Sequence, residues 1–104
     1  MKIRNINGTK LPICECGSWL QHWVYCSGQT LSAYCPANNC YNEPEVGALV
    51  QVDNIYDKSW YVVPLCKEHS NMKGESLTVS DKIKLVSTNI KDTCGKPDFY
   101  KNKR

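Results

Sequence analysis

Four side chains in this sequence have the types and the spacing to hold a metal ion. Cys35 and Cys40 flank the segment Pro-Ala-Asn-Asn, and Cys66 and His69 stand three apart. Zinc takes four soft or borderline ligands in a tetrahedron, and two pairs that are each local in sequence are the simplest way to supply them. Proline and asparagine favour a turn that can wrap Cys35 and Cys40 around an ion. Residues three apart share a face if Cys66 and His69 open a helix. Two other readings stand beside this one. Free cysteines are among the most buried residue types, so the thiols could be core residues and His69 a surface residue. Cys66 and His69 could also form a nucleophile and base, but nothing else in the chain supplies an orienting third residue or an oxyanion hole.

A second group is less regular. Cys14-Glu-Cys16, His22 and Cys94 could share a second zinc if a helix beginning at Ser18 returns His22 towards the C-x-C pair. The alternative is that these thiols are inert and His22 lies at the surface. Cys26 has no evident partner and reads as core or half-exposed.

These residues need elements to position them. Ser18 can cap a helix running to about Cys26, with Ser27-Gly28 as its stop. Trp19, Leu20, Trp23 and Val24 share one face of it. Residues 31–34 allow a short strand. Val46–Val52 and Trp60–Val63 read as two strands, joined through an Asp- and Asn-rich loop of hairpin type. Cys66 to His69 should begin a helix that ends near Gly74. Leu77–Val79 reads as a strand, and Ser80-Asp81 as the start of a helical turn through Val86. Residues 1–10 read as a flexible basic arm, 11–94 as the folded domain and 95–104 as a flexible basic tail. The expected fold is α+β, a small single domain.

Charge and composition narrow the classes. The chain has 104 residues, seven cysteines, three tryptophans and a net charge of +3. Lys2, Arg4 and Lys10 at one end, and Lys96, Lys101, Lys103 and Arg104 against Asp98 at the other, give about +3 each; the body is left at about −3. The basic pI therefore describes the ends, and argues against a basic groove in the body. No stretch approaches the roughly 20 apolar residues of a membrane span, and residues 1–10 lack the apolar core of a secretion signal. A cytoplasmic protein with reduced thiols is expected, where a cysteine-rich pattern reads first as metal-binding. Trp19, Trp23, Tyr25 and Tyr34 could form a stacking platform for bases. The simpler expectation is that the tryptophans are core.

Val46-Gly-Ala-Leu-Val50 followed by Trp60-Tyr-Val-Val-Pro-Leu-Cys-Lys-Glu-His69 resembles the core of the HNH endonucleases, a treble-clef family. The resemblance spans roughly residues 35–71. It is also similar to small uncharacterised bacterial proteins containing "CGSW…HW", "VGAHV" and "PLC-x-x-H", for which it implies a fold without an activity. The family resemblance implies a zinc knuckle at Cys35 and Cys40, a β-hairpin, and a short helix carrying Cys66 and His69 as structural ligands, with the Trp-rich helix added before them. It also exposes two departures. Leu49 stands where that family has its catalytic histidine, and Ser70 where it has a catalytic metal ligand. Asn54 matches the family's central asparagine but has no catalytic histidine to orient.

The expected function is thus a non-catalytic, zinc-stabilised binding module for nucleic acid or a partner protein. The alternatives are a metal-dependent HNH-type nuclease with an atypical site, and a structural or regulatory zinc protein with a protein partner only. The expected contact surface is Tyr56, Trp60 and Tyr61 on the hairpin, with Lys2, Arg4, Lys101, Lys103 and Arg104 on the basic ends. No small-molecule cofactor is evident.

Overall fold

The run Val-Gly-Ala-Leu-Val-Gln-Val builds the central strand, because its branched residues suit a pleated surface and its alternation serves two faces. In the computed structural model, which describes residues 1–7, 18–54 and 56–89, seven elements follow one another. They are β1 (Lys2–Asn5), α1 (Trp19–Ser27), β2 (Val46–Val52), β3 (Tyr61–Leu65), α2 (Lys67–Ser70), β4 (Ser76–Thr78) and β5 (Val86–Ser87). The strands form one sheet in the order β4-β1-β2-β3-β5, and every pairing is antiparallel. The α+β class expected from the sequence is the one observed.

The register divides the side chains between two faces. Ala48 lies opposite Val63 and Val46 opposite Leu65. Ala48, Val50, Val63 and Leu65 turn to one face with Ile3 and Val79, and there they meet Cys35 and Cys66. Leu49 lies opposite Val62, and this pair turns to the other face with Val86 and Trp23 of α1.

Helix α1 begins and ends as its sequence signals indicate. The Ser18 hydroxyl accepts the Gln21 N–H at 3.1 Å, and Gly28 leaves the helix with φ of 72°, a conformation that glycine adopts at no steric cost. The helix lies directly on β2. A Cβ on Gly47 would fall 2.2 Å from the Leu20 backbone nitrogen, so only glycine permits this approach. The Trp23 indole N–H donates to the Lys84 carbonyl at 2.8 Å and ties the helix to the segment before β5.

Three sequence expectations are corrected. Residues 1–10 are not a free arm as far as they are described: β1 lies between β4 and β2, and Ile3 and Asn5 are fully buried. The alternation Lys-Ile-Arg-Asn carries the signal, since Lys2 and Arg4 face outward while Ile3 and Asn5 face the core. The folded unit therefore includes the first residues and does not begin at residue 11. Residues 31–34 form no strand, and the stretch after Ser80 is a turn followed by β5 rather than a helical turn. The Ser80 hydroxyl accepts the Lys82 N–H at 3.2 Å, which favours the turn over helix propagation. The tail, 95–104, lies outside the described residues. No helix among the described residues is long and apolar enough to cross a membrane.

Candidate metal centre

Each ligand pair is fixed by a different device. Cys35 and Cys40 lie on a loop that folds back on itself. The Cys35 N–H donates to the Asn42 carbonyl at 2.7 Å, and the Cys40 N–H to the Ala37 carbonyl at 3.2 Å. Asn39, with φ of 58°, makes the turn in the left-handed region that asparagine tolerates. The loop is also anchored from outside: Ala37 bridges to Val79, and the Ser80 N–H reaches the Pro36 carbonyl at 2.9 Å. Cys66 directly follows β3 and caps α2, where its sulfur accepts the His69 N–H at 3.4 Å. One helical turn then brings the His69 ring back over Cys66.

The four donors converge. Cys35 Sγ, Cys40 Sγ, Cys66 Sγ and a ring nitrogen of His69 all lie within 4.8 Å of one another. Cys40 and Cys66 sulfurs are 3.9 Å apart, Cys35 Sγ is 3.7 Å from His69 Nδ1, and Cys66 Sγ is 3.2 Å from the same nitrogen. A zinc tetrahedron with Zn–S near 2.3 Å and Zn–N near 2.05 Å has edges of about 3.8 Å between sulfurs and about 3.5 Å between sulfur and nitrogen. These three separations, 3.2 to 3.9 Å, lie within about 0.4 Å of those edges. This group could hold a metal ion, and its Cys3His donor set is one that zinc uses. The four cysteines among the described residues, Cys26, Cys35, Cys40 and Cys66, are all outside disulfides.

The two best-buried thiols are in contrasting states. Burial pushes the Cys35 thiol up to about 11. Burial also raises Cys66, but the His69 N–H, the His69 ring, the Asn42 amide and Cys35 together outweigh it and bring this thiol down to about 7. The Asn42 amide approaches Cys66 Sγ at 3.8 Å.

A set of residues not anticipated from the sequence holds α2 in place. The buried Asn5 amide donates to the His69 carbonyl at 2.7 Å and to the Ser70 carbonyl at 3.2 Å, and the Asn7 amide also reaches Ser70 at 3.1 Å. These carbonyls lie at the end of a one-turn helix and need outside donors. The Asn5 carboxamide oxygen accepts the Asn7 N–H at 2.7 Å. The alternation in β1 was the available signal, since it places Asn5 on the core face.

Leu49 is in the apolar core facing Trp23. Ser70 is buried, and its hydroxyl donates to the Lys67 carbonyl at 2.9 Å. Asn54 is exposed, and its side chain accepts the Tyr56 N–H at 2.9 Å within a local turn.

Of the second ligand group, Cys14, Cys16 and Cys94 lie outside the described residues. His22 is described and is fully buried in α1. Its Nε2 is 2.9 Å from the Ser87 carbonyl, which can only accept, so this nitrogen carries the proton. Burial lowers its pKa. Trp19 packs edge to face on the His22 ring with centroids 5.0 Å apart.

The expected contact residues are dispersed. Tyr56 is 90% exposed. Trp60 is half-buried, and Tyr61 is half-buried with its hydroxyl donating to Asp57 at 2.9 Å. Lys2 and Arg4 sit on β1, where Arg4 is 3.9 Å from Asp53 and donates to the Gly74 carbonyl at 3.3 Å. Lys101, Lys103 and Arg104 lie outside the described residues. Trp23 is core, whereas Tyr25 and Tyr34 are exposed.

Comparison of the chain with protein-family models, with curated proteins and with solved structures finds no match. The functional reading therefore rests on the geometry of the site.

Proposed function

We propose that this protein is a zinc-stabilised binding module without catalytic activity, built on a treble-clef scaffold of HNH type. The convergence of Cys35, Cys40, Cys66 and His69 on one tetrahedral volume carries the proposal. The order of elements supports the scaffold: a turn with the first pair, the β2–β3 hairpin, then a short helix with the second pair. The chain offers four ligand atoms, enough for every position of a tetrahedral ion, which supports a structural zinc rather than a catalytic one with an open position for water. The residues that stand at the catalytic positions of the HNH pattern are in structural use, since Leu49 packs in the core and the Ser70 hydroxyl is bonded to the backbone. A site of reduced cysteines suits a reducing compartment, consistent with a cytoplasmic protein.

The test is mass spectrometry of the purified chain under native and denaturing conditions, together with a nuclease assay. The expected result is one zinc held at Cys35, Cys40, Cys66 and His69, lost in Cys66→Ser, and no cleavage of DNA or RNA with magnesium, manganese or zinc. A folded wild-type chain that binds no zinc would overturn the metal-stabilised reading. Cleavage that disappears in Asn54→Ala would favour the nuclease reading instead.

A further inference from the structure

The three cysteines that converge with His69 are not equivalent. Cys35 and Cys66 are buried, whereas Cys40 is partly exposed. The two buried sulfurs are also approached by N–H groups. The backbone N–H groups of Ala37 and Cys66 reach Cys35 Sγ. Cys66 Sγ accepts the His69 N–H at 3.4 Å and the Asn42 amide at 3.8 Å. Asn42 is itself fixed, because its carbonyl accepts the Cys35 N–H at 2.7 Å and its amide also reaches the Glu68 carboxylate at 3.5 Å. Among the described residues no N–H donates to Cys40 Sγ, whose contact is the Cys66 sulfur 3.9 Å away.

These differences bear on reactivity. An N–H bond draws electron density from a sulfur, and burial keeps reagents from it, so both protect Cys35 and Cys66 from an electrophile. Cys40 has neither protection in full. Bound zinc holds its cysteine ligands as thiolates, and the thiolate is the form that a peroxide oxidises.

We propose that Cys40 is the site at which hydrogen peroxide oxidises this centre, and that Cys66 then closes a disulfide on it and the zinc leaves. The inference rests on the zinc reading of the site and assigns that site a regulation. In the first step the Cys40 thiolate attacks one peroxide oxygen, the O–O bond breaks, and a sulfenic acid and a hydroxide ion form. In the second, the Cys66 thiolate attacks the Cys40 sulfur, the S–O bond breaks, and a second hydroxide leaves as the S–S bond forms. The two sulfurs together lose two electrons, and the peroxide gains them. Only Cys35 and His69 then remain as ligands, too few for a tetrahedral ion. The sulfur that caps α2 becomes a neutral disulfide sulfur, a weaker acceptor for the His69 N–H, so the one-turn ligand helix loosens in the same event.

The test treats the zinc-loaded full chain with hydrogen peroxide, after zinc content and near-UV dichroism have been recorded on the same sample. Dimedone traps sulfenic acids, a chromophoric chelator follows zinc release against a peroxide-free control, and peptide mapping locates the disulfide. Dimedone labelling of Cys40 is expected on the order of tenfold above that of Cys35 or Cys66. One zinc should be released for each Cys40–Cys66 disulfide, and a thiol reductant with added zinc should reverse the change. Cys40→His offers a fourth ligand without the reactive thiol, so its zinc-loaded form should release zinc on the order of tenfold more slowly. Earlier labelling at Cys35 or Cys66, a disulfide that includes Cys35, or equally fast release from zinc-loaded Cys40→His overturns the proposal and leaves the zinc reading standing. Wild-type protein that keeps its zinc and its thiols in peroxide does the same. If Cys40→His does not load zinc, the wild-type labelling and mapping decide. A folded wild-type sample that holds no zinc overturns the zinc reading instead.

Discussion

The two faces of the sheet are held together by different physics. On the face of α1, a nine-residue helix with both ends capped presses Trp23 onto Leu49, Val62 and Val86. Apolar burial and two side-chain bonds, from Trp23 to Lys84 and from His22 to Ser87, account for its attachment. On the opposite face, a turn of six residues and a helix of four, α2, cover Ile3, Ala48, Val50, Val63 and Leu65. A helix of one turn does not form alone, because nucleation costs more than its few bonds return. That face is organised by convergent ligands and by Asn5, which supplies donors to the end of α2. One sheet thus carries one face covered by a capped helix and another on which the four candidate ligands converge.

The contrast is tested most strongly by removing the metal. Chelation of zinc, or Cys66→Ser, should unfold most of the domain, because structural zinc contributes binding energy on the order of 10–16 kcal/mol that is also folding energy. Loss of near-UV dichroism would show it, and amide exchange should rise first in residues 35–40 and in α2. If chelated protein keeps its near-UV spectrum, the two faces do not differ in the way described.

Proton competition should make zinc binding at the metal face strongly pH-dependent. Cys35, pushed up to about 11, is protonated at neutral pH and must release a proton whenever zinc binds. Cys66, brought down to about 7, releases one only below that pH. The Cys35 proton should therefore make zinc affinity fall by at least about tenfold for each unit that the pH drops, and the fall should steepen below pH 7 as Cys66 becomes protonated. Calorimetry in buffers of different ionisation enthalpy counts the protons released. An affinity flat from pH 8 to pH 5.5 would contradict the thiolate assignment.

Gly47→Ala probes the helix face. The added carbon would collide with the Leu20 backbone, so α1 must shift, at an expected cost of about 1–3 kcal/mol. Denaturant unfolding of the zinc-loaded protein measures this, and zinc stoichiometry should stay unchanged. Asn5→Ala probes the other face. It leaves the His69 and Ser70 carbonyls without the Asn5 donor, at about 1–3 kcal/mol, and zinc affinity should fall with stability. If Asn5→Ala lowers stability with no change in zinc affinity, Asn5 supports the sheet and not the ligand helix. Tyr56→Ala should move stability by less than about 0.5 kcal/mol, since the ring is 90% exposed.

The sequence by itself determined what is local. The ligand pairs, the Ser18 cap, the Gly28 stop and the strand Val46–Val52 all depend on residues within a few positions of one another, and each is found where its signal lies. Only the tertiary structure decided what depends on distant partners. The residues read as a basic arm form β1 because Ile3 faces Val52 and Leu77, far along the chain in sequence. Asn5 serves α2 because β1 lies beside β2 and so carries its amide to the carbonyls after Cys66. Gly47 reads as an ordinary strand glycine until α1 is laid on it. Capping and ligand spacing are properties of a short stretch of backbone, whereas strand partners and close approaches are set by which apolar surfaces the whole chain can bury at once.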